Sequence, residues 1–225
     1  MRRLYNIIKK MDKNSILKLA TARCEDGRYA LELRGEPVIG KPINERIGFF
    51  DIEASNLKAT FGYMFCYCIK ELDGKIIANS VTQKEILNYD FDKRLMKELC
   101  ADLRKFDRIV VQYGSDYKFD LPFVRTRAVH YGLDFPLYKE INVTDTHSIL
   151  KAKFKLHSNR LETACQFFDI EAKEHKLEPV IWNKALAGDP KSLDYILTHC
   201  KEDVVSLEEV YKRICDYVAE GKRSI

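Results

Sequence analysis

The residues best able to do chemistry are acids placed where acids are costly. Asp51 and Glu53 close the apolar run Ile47–Phe50. Side chains alternate along a strand, so both acids share one face while Ile52 points to the other. Two acids on an inner strand need a cation between them. A divalent metal bridged by both is the simplest one; a strand end whose acids reach solvent or pair with Lys or Arg is the plainer reading. Asp120 follows an apolar run and a Gly-containing turn, at a helix start where the helix dipole favours a negative charge. With Pro122 nearby it also reads as an ordinary helix-start residue. His199 and Asp203 are four apart and stack on one helical face. Ile196, Cys200 and Leu207 put that face near the core. The two can act together, or form a plain His–Asp pair at the edge of the core.

These groups need a sheet with helices on it. RIGFFDIE (46–53), FGYMFCYCIKE (61–71) and KIIANSV (75–81) read as strands, with Asp73-Gly74 as a hairpin turn. They predict an antiparallel meander. FDKRLMKELCADLRKF (91–106) has helical spacing, RIVVQY (108–113) reads as a buried strand, LPFVRTRAVHYG (121–132) as a helix closed by Gly132, and EINVTD (140–145) as a fifth strand. Asn159 and Glu162 have the spacing of a capping box before LETACQFF. Asp189-Pro190 opens a last helix over about 190–218, with apolar residues every three or four positions from Leu193 to Val218.

Before the meander, residues 1–44 read as a separate basic appendage, with 45–225 as the main domain. Leu4, Ile7 and Ile8, then Ile16, Leu17 and Leu19, space two short helices; RYALEL (28–33) alternates like a strand; Gly35, Pro37, Gly40 and Pro42 punctuate a loop. The appendage is mainly helical by this reading, and could be a helix-turn-helix-like unit. Arg2, Arg3, Lys9, Lys10, Lys13, Lys18 and Arg23 face only Asp12, within a chain whose net charge is +4. A basic start on a faintly acidic body fits nucleic-acid contact or a solvated basic helix.

Acid-x-acid on a first strand, Phe-Asp at a helix start, and His with Asp on a late helix together resemble the DEDD 3′→5′ exonucleases of the RNase H-like superfamily. FFDIEAS, FDLPFV, VTDTHSIL and IWNKALAGDP leading into HCKEDVVSL carry the resemblance over residues 46–215. It is nearest to stand-alone relatives of the proofreading domains of family-B DNA polymerases. The resemblance implies an α/β fold: a mixed five-stranded sheet, three antiparallel strands then two parallel, flanked by helices. It implies that Asp51, Glu53, Asp120 and Asp203 hold two divalent cations, Mg²⁺ or Mn²⁺, roughly 3.5–4 Å apart, which carboxylate oxygens suit. His199 takes the place of the general base. Ala54, Ser55, Asn56 and Leu57 would line a pocket for the 3′-terminal nucleotide. Lys118 could touch a phosphate or simply be solvated, and Phe119, with Phe123, could stack on a base or simply pack.

Two features depart from the family pattern. His199 has the spacing to Asp203 that the family gives to tyrosine, so it either acts from a different position or assists. No Asn-Gly precedes Phe119-Asp120; the turn reads Tyr113-Gly114-Ser115-Asp116-Tyr117-Lys118.

The implied substrate is single-stranded or 3′-ended nucleic acid, DNA favoured. A catalytically weak nucleic-acid-binding module and a structure-selective endonuclease are the alternatives on the same fold. Any replication or repair partner is left open. No apolar run approaches the ~20 residues of a membrane span, and the N-terminus has no secretory pattern. Seven cysteines without a CxxC pair are expected to be reduced thiols, in a cytoplasmic setting.

Overall fold

The computed structural model describes residues 31–33, 37–39 and 45–217, apart from 117, 138 and 172–174. The chain divides into two units, Met1–Glu45 and Arg46–Ile225. In the first, β1 (Leu31–Leu33) and β2 (Pro37–Ile39) form an antiparallel hairpin with Glu32 opposite Val38. A strand therefore stands where a loop was expected, and Pro37 opens it, a position that needs no ladder N–H. The two helices expected before residue 21, and any helix-turn-helix, lie outside the described residues.

The second unit is built on a five-stranded sheet in the order β5-β4-β3-β6-β7. Its strands are β3 (Ile47–Ala54), β4 (Met64–Glu71), β5 (Ile76–Ser80), β6 (Arg108–Val111) and β7 (Asn142–Asp145). β3, β4 and β5 are antiparallel; β6 and β7 run parallel to β3. This is the expected mixed sheet. The β4–β5 turn is the expected Asp-Gly hairpin, with Asp73 at φ 51°, a left-handed conformation that Asp tolerates better than most residues.

Seven helices are described: α1 (Gln83–Leu87), α2 (Lys93–Leu103), α3 (Asp120–His130), α4 (Thr146–Lys153), α5 (Leu161–Phe167), α6 (Pro179–Leu186) and α7 (Pro190–Ile214). β4 shows why both faces of the sheet are covered. Tyr67 points one way, and its Oη donates to Asp102 of α2 at 2.6 Å. Cys66 and Cys68 point the other way, where Cys200 of α7 meets them. With helices on both sides, β4 is apolar without alternation from Met64 to Ile69. Asp189 caps α7 by accepting from the Ser192 N–H at 2.9 Å, with Pro190 at the first helical position, as expected. The capping box at Asn159 and Glu162 does not form. Arg160 takes the cap position without a side-chain bond, and the Asn159 carbonyl instead accepts from Gln112 Nε2 at 2.8 Å. A box forms elsewhere, between Thr82 and Glu85 at the start of α1.

A buried polar knot fixes α3 against the sheet. Asp92, fully buried, accepts from Arg127 of α3 at 2.5 and 3.0 Å, from Tyr131 at 2.6 Å and from the Met64 N–H at 2.8 Å. Arg127 also donates to the Ala59 carbonyl at 3.3 Å. The start of β4, the loop before it and α3 are thereby fastened to one carboxylate.

Candidate active site

β3 presents Asp51 and Glu53 on the face covered by α7. Their antiparallel partners are Cys68 and Cys66, so the two acids and two thiols form a row. Cys200 of α7 joins them and donates to the Asp51 carbonyl at 3.5 Å. Burial pushes the Cys66 thiol up to about 11 and the Cys200 thiol well above its ordinary value. These sulfurs are therefore neutral packing groups near pH 7. Pairing shifts register between Glu53 and Ala54, and a bend of this kind re-aims the strand end.

α7 brings His199 and Asp203 to the same place. His199 Nε2 lies 3.1 Å from Asp203 Oδ2 and 3.6 Å from Glu53 Oε1. One ligand atom from each of Glu53, His199 and Asp203 can be chosen so that all lie within 4.8 Å of one another. On its other side His199 Nδ1 meets the His175 main-chain oxygen. His175 is in turn held by Glu202, which accepts its N–H at 3.1 Å and lies 2.5 Å from its ring Nδ1.

Asp120 is the first residue of α3 and only 4% exposed. Burial, then repulsion from Asp51 and then from Asp145, pushes its carboxyl well above the usual range. Among the described residues neither a hydrogen-bond donor nor a cation meets its side chain. The turn leading to it is tight. The Gly114 carbonyl accepts the Leu121 N–H at 2.9 Å, and a Cβ on Gly114 would stand 2.1 Å from Asp120 Oδ2. Only glycine leaves room for the carboxylate there.

The neighbouring acid is different. Asp145 caps α4 through the Ser148 N–H at 3.3 Å, and it accepts from the Ser115 N–H and Oγ and the Tyr113 N–H. Burial would raise its pKa, but Lys118 and Ser115 outweigh that and hold it below the usual range. Lys118 Nζ sits 2.8 Å from both Asp145 Oδ2 and Ser148 Oγ. Its charge is thus used to pin the turn. Phe119 and Phe123 lie 5.5 Å apart, with Phe123 buried and Phe119 half-buried on the core. Ala54 is buried. Ser55 Oγ accepts the Tyr63 N–H and Asn56 Oδ1 the Lys58 N–H, both at 2.9 Å, so these side chains shape their own turn. Leu57 and Phe61 stand out from it, 79% and 84% exposed.

Sequence reading did not pick out Gly114, His175 or Glu202. The Gly-containing turn was visible, but not the clash that requires it. Nothing in the spacing ties His175, 24 residues away, to His199.

With fold and site in view, comparison with known proteins gives a family. A model of the RNase H superfamily matches residues 48–215. The chain belongs to the RNase H superfamily. A solved structure similar to this RNase H superfamily chain is a family B DNA polymerase from the hyperthermophilic archaeon Pyrobaculum calidifontis, with TM-score 0.64 and 18% identity. The likeness covers 84% of this chain and 28% of the polymerase. At that identity it speaks for the fold. The RNase H superfamily chain spans just over a quarter of that polymerase's length. No curated protein matches it. Among the described residues no helix is long and apolar enough to cross a membrane.

The acids fit a hard divalent cation. Asp120 is a buried carboxylate repelled by two neighbours, a state that a cation relieves. Oxygen donors from β3, α3 and α7 are the ligands such ions take.

Proposed function

We propose that this chain is a metal-dependent 3′→5′ exonuclease that acts on single-stranded or 3′-ended nucleic acid and releases nucleoside monophosphates. The observation that carries the reading is Asp120: a carboxylate buried against Asp51 and Asp145 and, among the described residues, met by neither a donor nor a cation. A binding surface for phosphate has no use for such a group, since uncompensated acids repel phosphate. Asp51, Glu53, Asp120 and Asp203 would hold two ions, Mg²⁺ or Mn²⁺. When bound, these ions supply an activated water and charge stabilisation at the scissile phosphate and the leaving 3′ oxygen.

The protein's own groups do the positioning. β3 fixes Asp51 and Glu53, the Gly114 turn fixes Asp120, and α7 fixes Asp203 and His199. The turn from Ala54 to Leu57 lies directly after Glu53, where a terminal nucleotide would rest, with exposed Leu57 and Phe61 as apolar surface for a base. Lys118 and Phe119 support the turn beside it. The likeness to a DNA polymerase favours DNA over RNA as substrate.

The test is cleavage of 5′-labelled single-stranded DNA and RNA with Mg²⁺ or Mn²⁺, comparing the native chain with Asp51→Ala. A metal-dependent ladder that shortens from the 3′ end, and is absent in the variant, is expected. Internal cuts would turn the reading into an endonuclease. Binding without cleavage would make it a binding module.

A further inference from the structure

The orientation of the His199 ring follows from its neighbours. Nδ1 faces the His175 carbonyl. A carbonyl oxygen only accepts, so Nδ1 carries the proton. Glu202 grips His175 at both its N–H and its ring, which keeps that carbonyl in place. Nε2 is thereby aimed at Asp203 Oδ2 (3.1 Å) and Glu53 Oε1 (3.6 Å). A cation shared by Nε2 and the two carboxylates would join all three, and one ligand atom from each lies within 4.8 Å of the others.

The spacing suits a metal ion. Two ligand atoms each ~2.1–2.2 Å from one ion and at right angles around it stand about 3 Å apart. The Nε2–Oδ2 separation is 3.1 Å. Histidines that bind metal also donate their other ring N–H to a carbonyl or carboxylate, which fixes the tautomer. The His175 carbonyl does this here.

We propose that His199 is itself a metal ligand: Nε2 joins Glu53 and Asp203 in a mixed nitrogen and oxygen site that favours a divalent first-row transition ion, such as Mn²⁺, over Mg²⁺. The inference rests on the metal-dependent reading above and deepens it. It also excludes the base role for this nitrogen, because a lone pair engaged by an ion cannot take a proton from water. Mg²⁺ prefers oxygen donors, whereas transition ions accept imidazole more readily.

The test is pulsed EPR of Mn²⁺ added to the full chain without nucleic acid. Modulation from a directly bound ¹⁴N nucleus is expected. It should vanish in His199→Gln, shown to be folded by circular dichroism. Mn²⁺ affinity should fall about tenfold or more in that variant, while Mg²⁺ affinity, read by competition, changes little. If the variant does not fold, native protein labelled with ¹⁵N-histidine decides: a ¹⁵N pattern supports the ligand, and unchanged modulation overturns it. Bound Mn²⁺ without nitrogen coupling, or coupling that survives in folded His199→Gln, overturns the proposal and leaves the nuclease reading intact. So does failure to bind Mn²⁺ in a chain that still cleaves with Mg²⁺. Neither metal binding nor cleavage would remove both readings.

Discussion

A methyl group at Gly114 would stand 2.1 Å from Asp120 Oδ2. The glycine is required by space, since a Cβ there would also meet Val111 Cβ at 2.9 Å. Gly114→Ala is therefore expected to push the Asp120 carboxylate aside while the sheet persists. A displacement of about 1 Å at a reacting centre costs roughly a hundredfold in rate. Cleavage rate and thermal melting measured together check this. A variant that retains full activity would show that Asp120 has slack.

Asp120 in the metal-free chain is a source of strain. Replacing it with Asn removes a charge that burial, Asp51 and Asp145 all oppose. Asp120→Asn is expected to raise metal-free stability by about 1 kcal/mol, or ~2–4 °C in Tm, while abolishing cleavage. Mn²⁺ or Mg²⁺ should raise the Tm of the native chain by mass action and have a much smaller effect on the variant. Scanning calorimetry with chelator and with metal separates these outcomes.

Glu208 locks α7 to the sheet. It is 2% exposed, and it lies 2.7 Å from Lys70 Nζ of β4 and 3.1 Å from Lys212 Nζ, and 2.7 Å from the Asp73 N–H at the hairpin. Glu208→Gln leaves Lys70 largely buried beside a neutral amide, a loss expected to cost about 3 kcal/mol. Chemical denaturation reads it. Burial alone would raise the Glu208 pKa, but Lys70, the Asp73 N–H and Lys212 outweigh burial and lower it from its ordinary 4.5. The sign follows: the stabilisation is complete above the unfolded value and is lost as pH falls below it. The native chain should therefore lose more stability than Glu208→Gln on going below pH ~4.3.

The thiols behind the site give a further check. Burial pushes the Cys66 thiol up to about 11 and the Cys200 thiol well above its ordinary value. Alkylation at pH 8 is expected to leave both unmodified in the folded chain and to reach both after denaturation, since the thiolate is the reactive form. Mass spectrometry of labelled peptides shows which thiols react.

Strand alternation was enough to put Asp51 and Glu53 on one face, and helical spacing enough to pair His199 with Asp203. Both relations are local, so a one-dimensional pattern carries them. The same holds for the Asp73-Gly74 hairpin and the Asp189-Pro190 cap. Other features depend on tertiary contact. Lys118 reads in sequence as a free cation, yet Asp145, 27 residues on, engages it. Asn159 and Glu162 have capping-box spacing, but Gln112 claims the Asn159 carbonyl and Arg160 takes the cap. The orientation of the His199 ring depends on a backbone oxygen, which no residue type reveals.

Helix α7 carries the His199–Asp203 pair and the Glu208 lock on one continuous rod, with about 7.5 Å of axial rise between Asp203 and Glu208. The imidazole and its carboxylate cannot swing away by local fraying while Glu208 holds its lysines. Two of the groups proposed for catalysis and metal binding are thus expected to belong to a cooperative unit that opens late. On heating, loss of activity should coincide with collapse of the whole sheet and not precede it, so that a thermally weakened chain works fully or not at all.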